Sequence, residues 1–147
     1  MYYETISFLP HIPKNLLDDL DTIESYENVF PAQGEYVKTY ASYVAPDPLA
    51  DFMQLWFDYP VLTRYQVIKK ALHVHVDVGI KGVKYNYILD TGGDVKTRWW
   101  NDVDEKATKI LHEVQSEPFV WHSLNISEPH NITEPSRPRV SVVVRKK

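Results

Sequence analysis

The stretch Leu72-His73-Val74-His75-Val76-Asp77-Val78 alternates apolar and polar side chains with a period of two. Such a period marks a β-strand, whose successive side chains point to opposite faces. The spacing predicts a strand over 72–78, with Val74, Val76 and Val78 toward an apolar layer. His73, His75 and Asp77 then share the other face. Three ionisable side chains turned inward together are costly to bury without partners. A metal ion would partner them; a solvent-exposed strand face would need none. The triplet alone leaves both readings open.

Working outward, the neighbouring chain is β-rich. Further strands are expected over 65–70, 83–89, 97–100, 109–114 and 119–123, with a closing β-branched run over 140–144. Asp90-Thr91-Gly92-Gly93-Asp94 reads as a turn. The first part of the chain has a different texture. Leu16, Leu17, Leu20 and Ile23 form an apolar stripe after Pro13, which predicts an amphipathic helix. Pro31 and Gly34 punctuate a loop, and 36–44 reads as a strand. Asp47-Pro48 opens a second helix, with Leu49, Phe52, Met53 and Trp56 on one side and Pro60 at its end. Short strands separated by turns argue for a sandwich or barrel, with the helices packed on one outer face. The expected organisation is one domain, 1–147. Residues 1–62 supply helical support and a flanking strand, and 63–147 form the β core.

Composition narrows the function. The chain has 147 residues, enough for one sizeable core, and is 44% hydrophobic and 13% aromatic, which excludes a disordered chain. Its formal net charge of −4 argues against bulk nucleic-acid binding. No apolar run approaches the length of about eighteen residues that a membrane span needs. Met1-Tyr2-Tyr3-Glu4-Thr5 lacks the basic-then-apolar order of a signal peptide, so a cytoplasmic protein is expected. There is no cysteine, so disulfides, thiolate metal sites and cysteine nucleophiles are excluded, and any metal must use His, Asp or Glu.

The C-terminal half adds His130 and, after it, Arg137-Pro138-Arg139-Val140-Ser141. Arg139 and Ser141 fall on one face of a strand whose other face carries Val140, Val142 and Val144. A buried arginine needs an anion, either a structural carboxylate or one on a ligand. Arg139 is preferred to Arg137 because Ser141 follows it and it enters the strand directly. His75 is preferred to His73 because it has a carboxylate two residues on. Two imidazoles and one carboxylate can occupy one face of an octahedral ion and leave the other open.

His75-Val76-Asp77, the distal His130 and Arg139-Val140-Ser141 together resemble the Fe(II)- and 2-oxoglutarate-dependent dioxygenases, most of all the small prolyl-hydroxylase-like and phage or marine-bacterial members. The stretch Lys84-Tyr85-Asn86-Tyr87-Ile88-Leu89, with Gly92-Gly93 and Trp99-Trp100, is similar to the family's middle strands. The resemblance covers about residues 70–145. It implies a double-stranded β-helix, a cupin-like jelly roll. It also implies iron held by His75, Asp77 and His130, with 2-oxoglutarate chelating the metal and its far carboxylate on Arg139 and Ser141, helped by Tyr85 or Tyr87. With O2 as oxidant, a C–H bond of a small-molecule or peptide substrate would be hydroxylated. The alternative is a jelly roll that binds metal or partners without catalysis.

Other residues carry less. One of Trp99 and Trp100 is expected in the core and the other at a rim. Trp121 is expected to pack and His122 to be solvated. His112-Glu113 lacks the rest of a zinc-protease motif, and Gly92-Gly93 lacks the lysine and helix of a phosphate loop.

Overall fold

The structure, a computed structural model, describes residues 2–29, 39–77 and 83–147. Through them run β1 (Tyr3–Thr5), α1 (Leu20–Glu24), β2 (Tyr40–Val44), α2 (Asp47–Gln54), β3 (Val61–Ile68), β4 (Lys84–Asp90), β5 (Thr97–Trp100), β6 (Ile110–Val114), β7 (Trp121–Leu124), β8 (His130–Ile132) and β9 (Arg139–Lys146). A six-stranded sheet has the order β1-β7-β4-β9-β3-β2, and a three-stranded sheet the order β6-β5-β8. The pairings are antiparallel. The chain passes repeatedly between the sheets, as in a jelly roll. Mainly β with N-terminal helices, it has the cupin-like double-stranded β-helix expected from its sequence.

The valine run of β9 sits in the middle of the larger sheet, between β3 and β4. Buried on both faces, it reads as a continuous β-branched segment rather than a clean alternation. Its partners fix two faces. Val140, Val142 and Val144 join Tyr65, Val67, Tyr87 and Trp121 in the main core, where Leu49 and Met53 of α2 pack on them. Arg139 and Ser141 point the other way, into the space between the sheets. Burying one Leu or Val stabilises such a core by about 1.5–3 kcal/mol. This helix-covered layer therefore holds the sheet in place, while the opposite face carries Arg139 and Ser141 beside the apolar Ile68, Ile88 and Val143.

Several elements differ from the expectation. The single helix after Pro13 is two pieces: one turn over Lys14–Leu16, then α1. Leu17 is extended, and the Asp19 carboxylate accepts the Thr22 N–H at 2.9 Å, so a new helix starts there. Helix α2 forms as expected, but Trp56 lies beyond its end and is 46% exposed. The strand expected over 36–44 is seen from Tyr40; residues 36–38, like Pro31, Gly34 and Val78, lie outside the described residues. Strand β3 runs across the 62/63 boundary.

Residues 72–77 do not form the expected regular strand: they carry a bend at Val74 and one isolated bridge at His75. Their backbone bonds run to three separated places: Leu72 N–H to the Ile132 carbonyl (3.3 Å), the pair His75–His130, and Asp77 N–H to the Ile126 carbonyl (3.0 Å). The partner β8 is only three residues long, so the ladder cannot continue. His130 begins that strand. No helix among the described residues is long and apolar enough to cross a membrane.

Candidate functional site

His75 and His130 face each other across the sheets' edge and exchange both backbone bonds, His75 N–H to the His130 carbonyl at 3.0 Å and the reverse at 2.9 Å. This double tie places two imidazoles side by side, with ring centroids 4.6 Å apart. Each ring is oriented in the same way. His75 Nδ1 lies 2.7 Å from the His73 carbonyl, and His130 Nδ1 2.8 Å from the Glu128 carbonyl. A carbonyl only accepts, so each Nδ1 donates its proton and each neutral ring keeps a lone pair on Nε2. Both Nε2 atoms turn to Asp77 Oδ1, at 3.2 Å from His75 and 3.6 Å from His130.

Three electron-rich atoms therefore converge within 4.8 Å of one another. Without a cation or an extra proton between them they repel. The hydrogen bond with Asp77 raises the pKa of His75 against the opposing effect of burial. Burial lowers that of His130. Burial pushes Asp77 up, but His75, Lys84 and His130 outweigh it and hold the carboxyl below its usual range. The donor set fits a divalent ion. With ligand distances of about 2.1 Å, two ligand atoms at right angles lie about 3 Å apart, close to the separations seen. His73 turns its carbonyl, not its ring, to this purpose, and is exposed.

The three residues open on a cavity of about 700 Å³ between the sheets. Arg139 and Ser141 line the same cavity. Arg139 is 4% exposed, and burial pushes its guanidinium down to about 10, so it remains a cation at neutral pH. No carboxylate among the described residues lies within ion-pair distance of it. Its position is set by the turn before it. Gly92, at φ +77°, accepts the Ser136 N–H, and a Cβ there would meet the Arg137 carbonyl at 2.9 Å and Arg139 Cβ at 3.0 Å. Arg137 instead pairs on the surface with Asp90 at 2.9 Å.

Two expected ligand contacts are corrected. Tyr85 and Tyr87 do not reach the cavity. The register of β4 on β9 sets Tyr85 opposite Val144 and Tyr87 opposite Val142, which puts both rings on the core side. Their neighbours Lys84 and Asn86 take the cavity side instead. His122 is also corrected: it is wholly buried, stacked on Tyr3, and burial drives its pKa to about 4. Trp99 is fully buried, with its indole N–H on the Asn125 carbonyl, while Trp100 is half-buried.

The sequence reading missed Asn86, Thr97 and Lys84. Asn86 Nδ2 and Thr97 Oγ1 are buried, line the cavity and lack a partner among the described residues. Strand parity counted from Ser141 would have found Asn86, had the β4–β9 pairing been known. The cavity wall is thus rich in donors. Asp77 is the only carboxylate lining it among the described residues, against the cations Arg139 and Lys84.

No protein-family model matches the chain, and no curated protein matches it. Solved structures do. Fe(II)-HppE with the alternative substrate (S)-1-HPP superposes with a TM-score of 0.51 at 9% identity, covering 91% of this chain and 62% of that one. Hydroxypropylphosphonic acid epoxidase from S. wedmorenis gives 0.50 at 8%, covering 91% and 61%. Oxalate decarboxylase OxdC of Bacillus subtilis gives 0.47 at 8%, covering 85% and 29%. At such identities the first two likenesses show the cupin-like fold. The chain spans about three fifths of the length of these epoxidase structures.

Proposed function

We propose that this protein is a non-haem iron oxygenase that uses 2-oxoglutarate and O2 to hydroxylate a C–H bond of a small-molecule or peptide substrate. The observation that carries this reading is the buried Arg139, which has no carboxylate partner among the described residues and lines the same cavity as His75, Asp77 and His130. A buried arginine without an anion is expensive. A ligand carboxylate gripped in bidentate fashion satisfies it.

In this reading His75 Nε2, Asp77 Oδ1 and His130 Nε2 hold Fe(II), and the His73 and Glu128 carbonyls keep both imidazoles in the metal-binding tautomer. Arg139 and Ser141 hold the far carboxylate of 2-oxoglutarate and so align its keto-acid end. Bound iron supplies the redox step, in which the keto acid loses CO2 to give succinate and the substrate gains one oxygen atom from O2. The chain's own part is to orient the co-substrate and exclude water from the space between the sheets.

Anaerobic titration with Fe(II) and then 2-oxoglutarate tests the assignment. A metal-to-ligand charge-transfer band is expected in the native protein and not in Asp77→Ala. Fe(II) binding with no band on adding the keto acid would leave a metal-binding jelly roll that does not use 2-oxoglutarate.

A further inference from the structure

At the end of the larger sheet away from Arg139, the face that carries Arg139 holds a second group of cations. The register sets Lys84 directly across from Arg145, and Arg145 across from Leu62. Arg64, two places along from Leu62, shares that face. Like charges directly opposite on paired strands are destabilising, yet here two are paired and a third lies on the diagonal. None of the three has an ion-pair partner among the described residues. Burial and the nearness of Arg145 lower the pKa of Arg64. Of the three, Lys84 lines the cavity and Arg64 and Arg145 stand beside it on the same sheet face, outside the lining; the Lys84 charge acts on Asp77, His75 and His130.

Arg145 lies six residues along β9 from Arg139. At about 3.3 Å per residue that is about 20 Å of strand. Side chains stand nearly perpendicular to a sheet, so one carboxylate cannot meet both ends. A co-substrate on Arg139 leaves the far cations unsatisfied. One carboxylate also under-matches three cations; a dianion answers them better.

We propose that Arg64, Lys84 and Arg145 form a second anion subsite, and that the molecule oxidised here is small and carries a phosphate- or phosphonate-type dianion. The subsite stands on its own geometry, while its role in holding the oxidised molecule rests on the oxygenase reading above. The donor-rich wall between, with Asn86 and Thr97, then faces the part of the ligand that reaches toward the metal.

Calorimetric titration of the full chain with inorganic phosphate, methylphosphonate, acetate and a thymidine hexanucleotide, at fixed ionic strength, tests it. Phosphate and methylphosphonate are expected to bind at one site, at least tenfold tighter than acetate. Lys84→Met and Arg145→Met should each weaken phosphate at least fivefold, and Arg139→Met should leave it unchanged. Saturating 2-oxoglutarate should not displace it. Both charge-removing variants relieve repulsion and should melt no lower than the native protein. Equal phosphate affinity in native protein and Lys84→Met overturns the subsite, as does displacement by 2-oxoglutarate. Tighter binding of the hexanucleotide than of phosphate, lost in Lys84→Met, makes the patch a nucleic-acid surface and overturns the substrate class. In protein loaded with Fe(II) and 2-oxoglutarate, phosphate should shift the charge-transfer band, and the shift should vanish in Lys84→Met. Absence of the band with phosphate binding intact counts against the oxygenase reading and leaves the subsite standing.

Discussion

Replacing Arg139 with methionine should make the ligand-free protein more stable. The guanidinium is 4% exposed and has no carboxylate partner among the described residues, and burial lowers its pKa to about 10. Each pKa unit corresponds to about 1.4 kcal/mol, so burying this charge costs about 3 kcal/mol. Methionine keeps much of the volume and removes the charge. Such exchanges at buried ionic sites gain about 1–4 kcal/mol. After allowing for lost contacts with neighbouring polar groups, a gain of about 1–3 kcal/mol is expected. In a chain of this size, 1 kcal/mol moves Tm by about 2–4 °C. The native protein should recover the difference when ligand is added, since a ligand at one hundred times its Kd stabilises by about 2.7 kcal/mol. Differential scanning calorimetry with and without 2-oxoglutarate measures both effects. The variant should melt higher than the native protein alone and gain nothing from the keto acid. A loss of more than 1 kcal/mol in the ligand-free variant, or an unchanged response to 2-oxoglutarate, would refute the reasoning and make Arg139 a structural residue.

Other substitutions separate neighbouring roles. Asp77→Ala should abolish Fe(II) affinity and succinate formation while far-UV circular dichroism stays native; unchanged turnover would reject Asp77 as a ligand. Arg137→Ala breaks only the surface pair with Asp90, so it should cost less than about 1 kcal/mol and leave the affinity for 2-oxoglutarate intact. Tyr85→Phe and Tyr87→Phe should also leave that affinity intact by titration, because both hydroxyls belong to the core side of the sheet. His122 predicts a pH dependence. The unfolded chain takes up a proton there as pH falls below 6.5, whereas the folded chain resists until about pH 4. Stability present above pH 6.5 is therefore lost across that window, by up to about 3 kcal/mol. Urea unfolding at pH 7 and pH 4.5 should show His122→Phe losing less than the native protein; equal losses would assign the acid sensitivity to other groups.

The residues that were readable in the sequence are those with a local pattern. The valine run marks β9 without help from its neighbours, and the proline at the start of α2 marks that helix. The grouping of His75, Asp77 and His130 was legible from residue type and spacing through family resemblance. What stayed hidden depends on partners distant in sequence. Which face of β4 meets the cavity is decided by its register on β9, so Tyr85 and Tyr87 looked as suitable as Lys84 and Asn86. The alternation at 72–77 is genuine, but its partner strand is too short to sustain a ladder. His122 looked polar and hence exposed, but the sheet pairing places it opposite Asn86, in the interior. The stripe after Pro13 counted apolar spacing correctly and missed that Asp19 caps a fresh start.

The two histidines owe their aim to peptide groups alone: each is tied to the other by main-chain bonds, and each proton rests on a carbonyl two positions earlier in its own segment. Any amino acid supplies those carbonyls. Positions 73 and 128 are therefore free to vary without disturbing the tautomers, and the cavity wall can change while the pair of imidazoles keeps its aim. A scaffold arranged this way tolerates wide drift in sequence and offers a convenient start for redesigning selectivity.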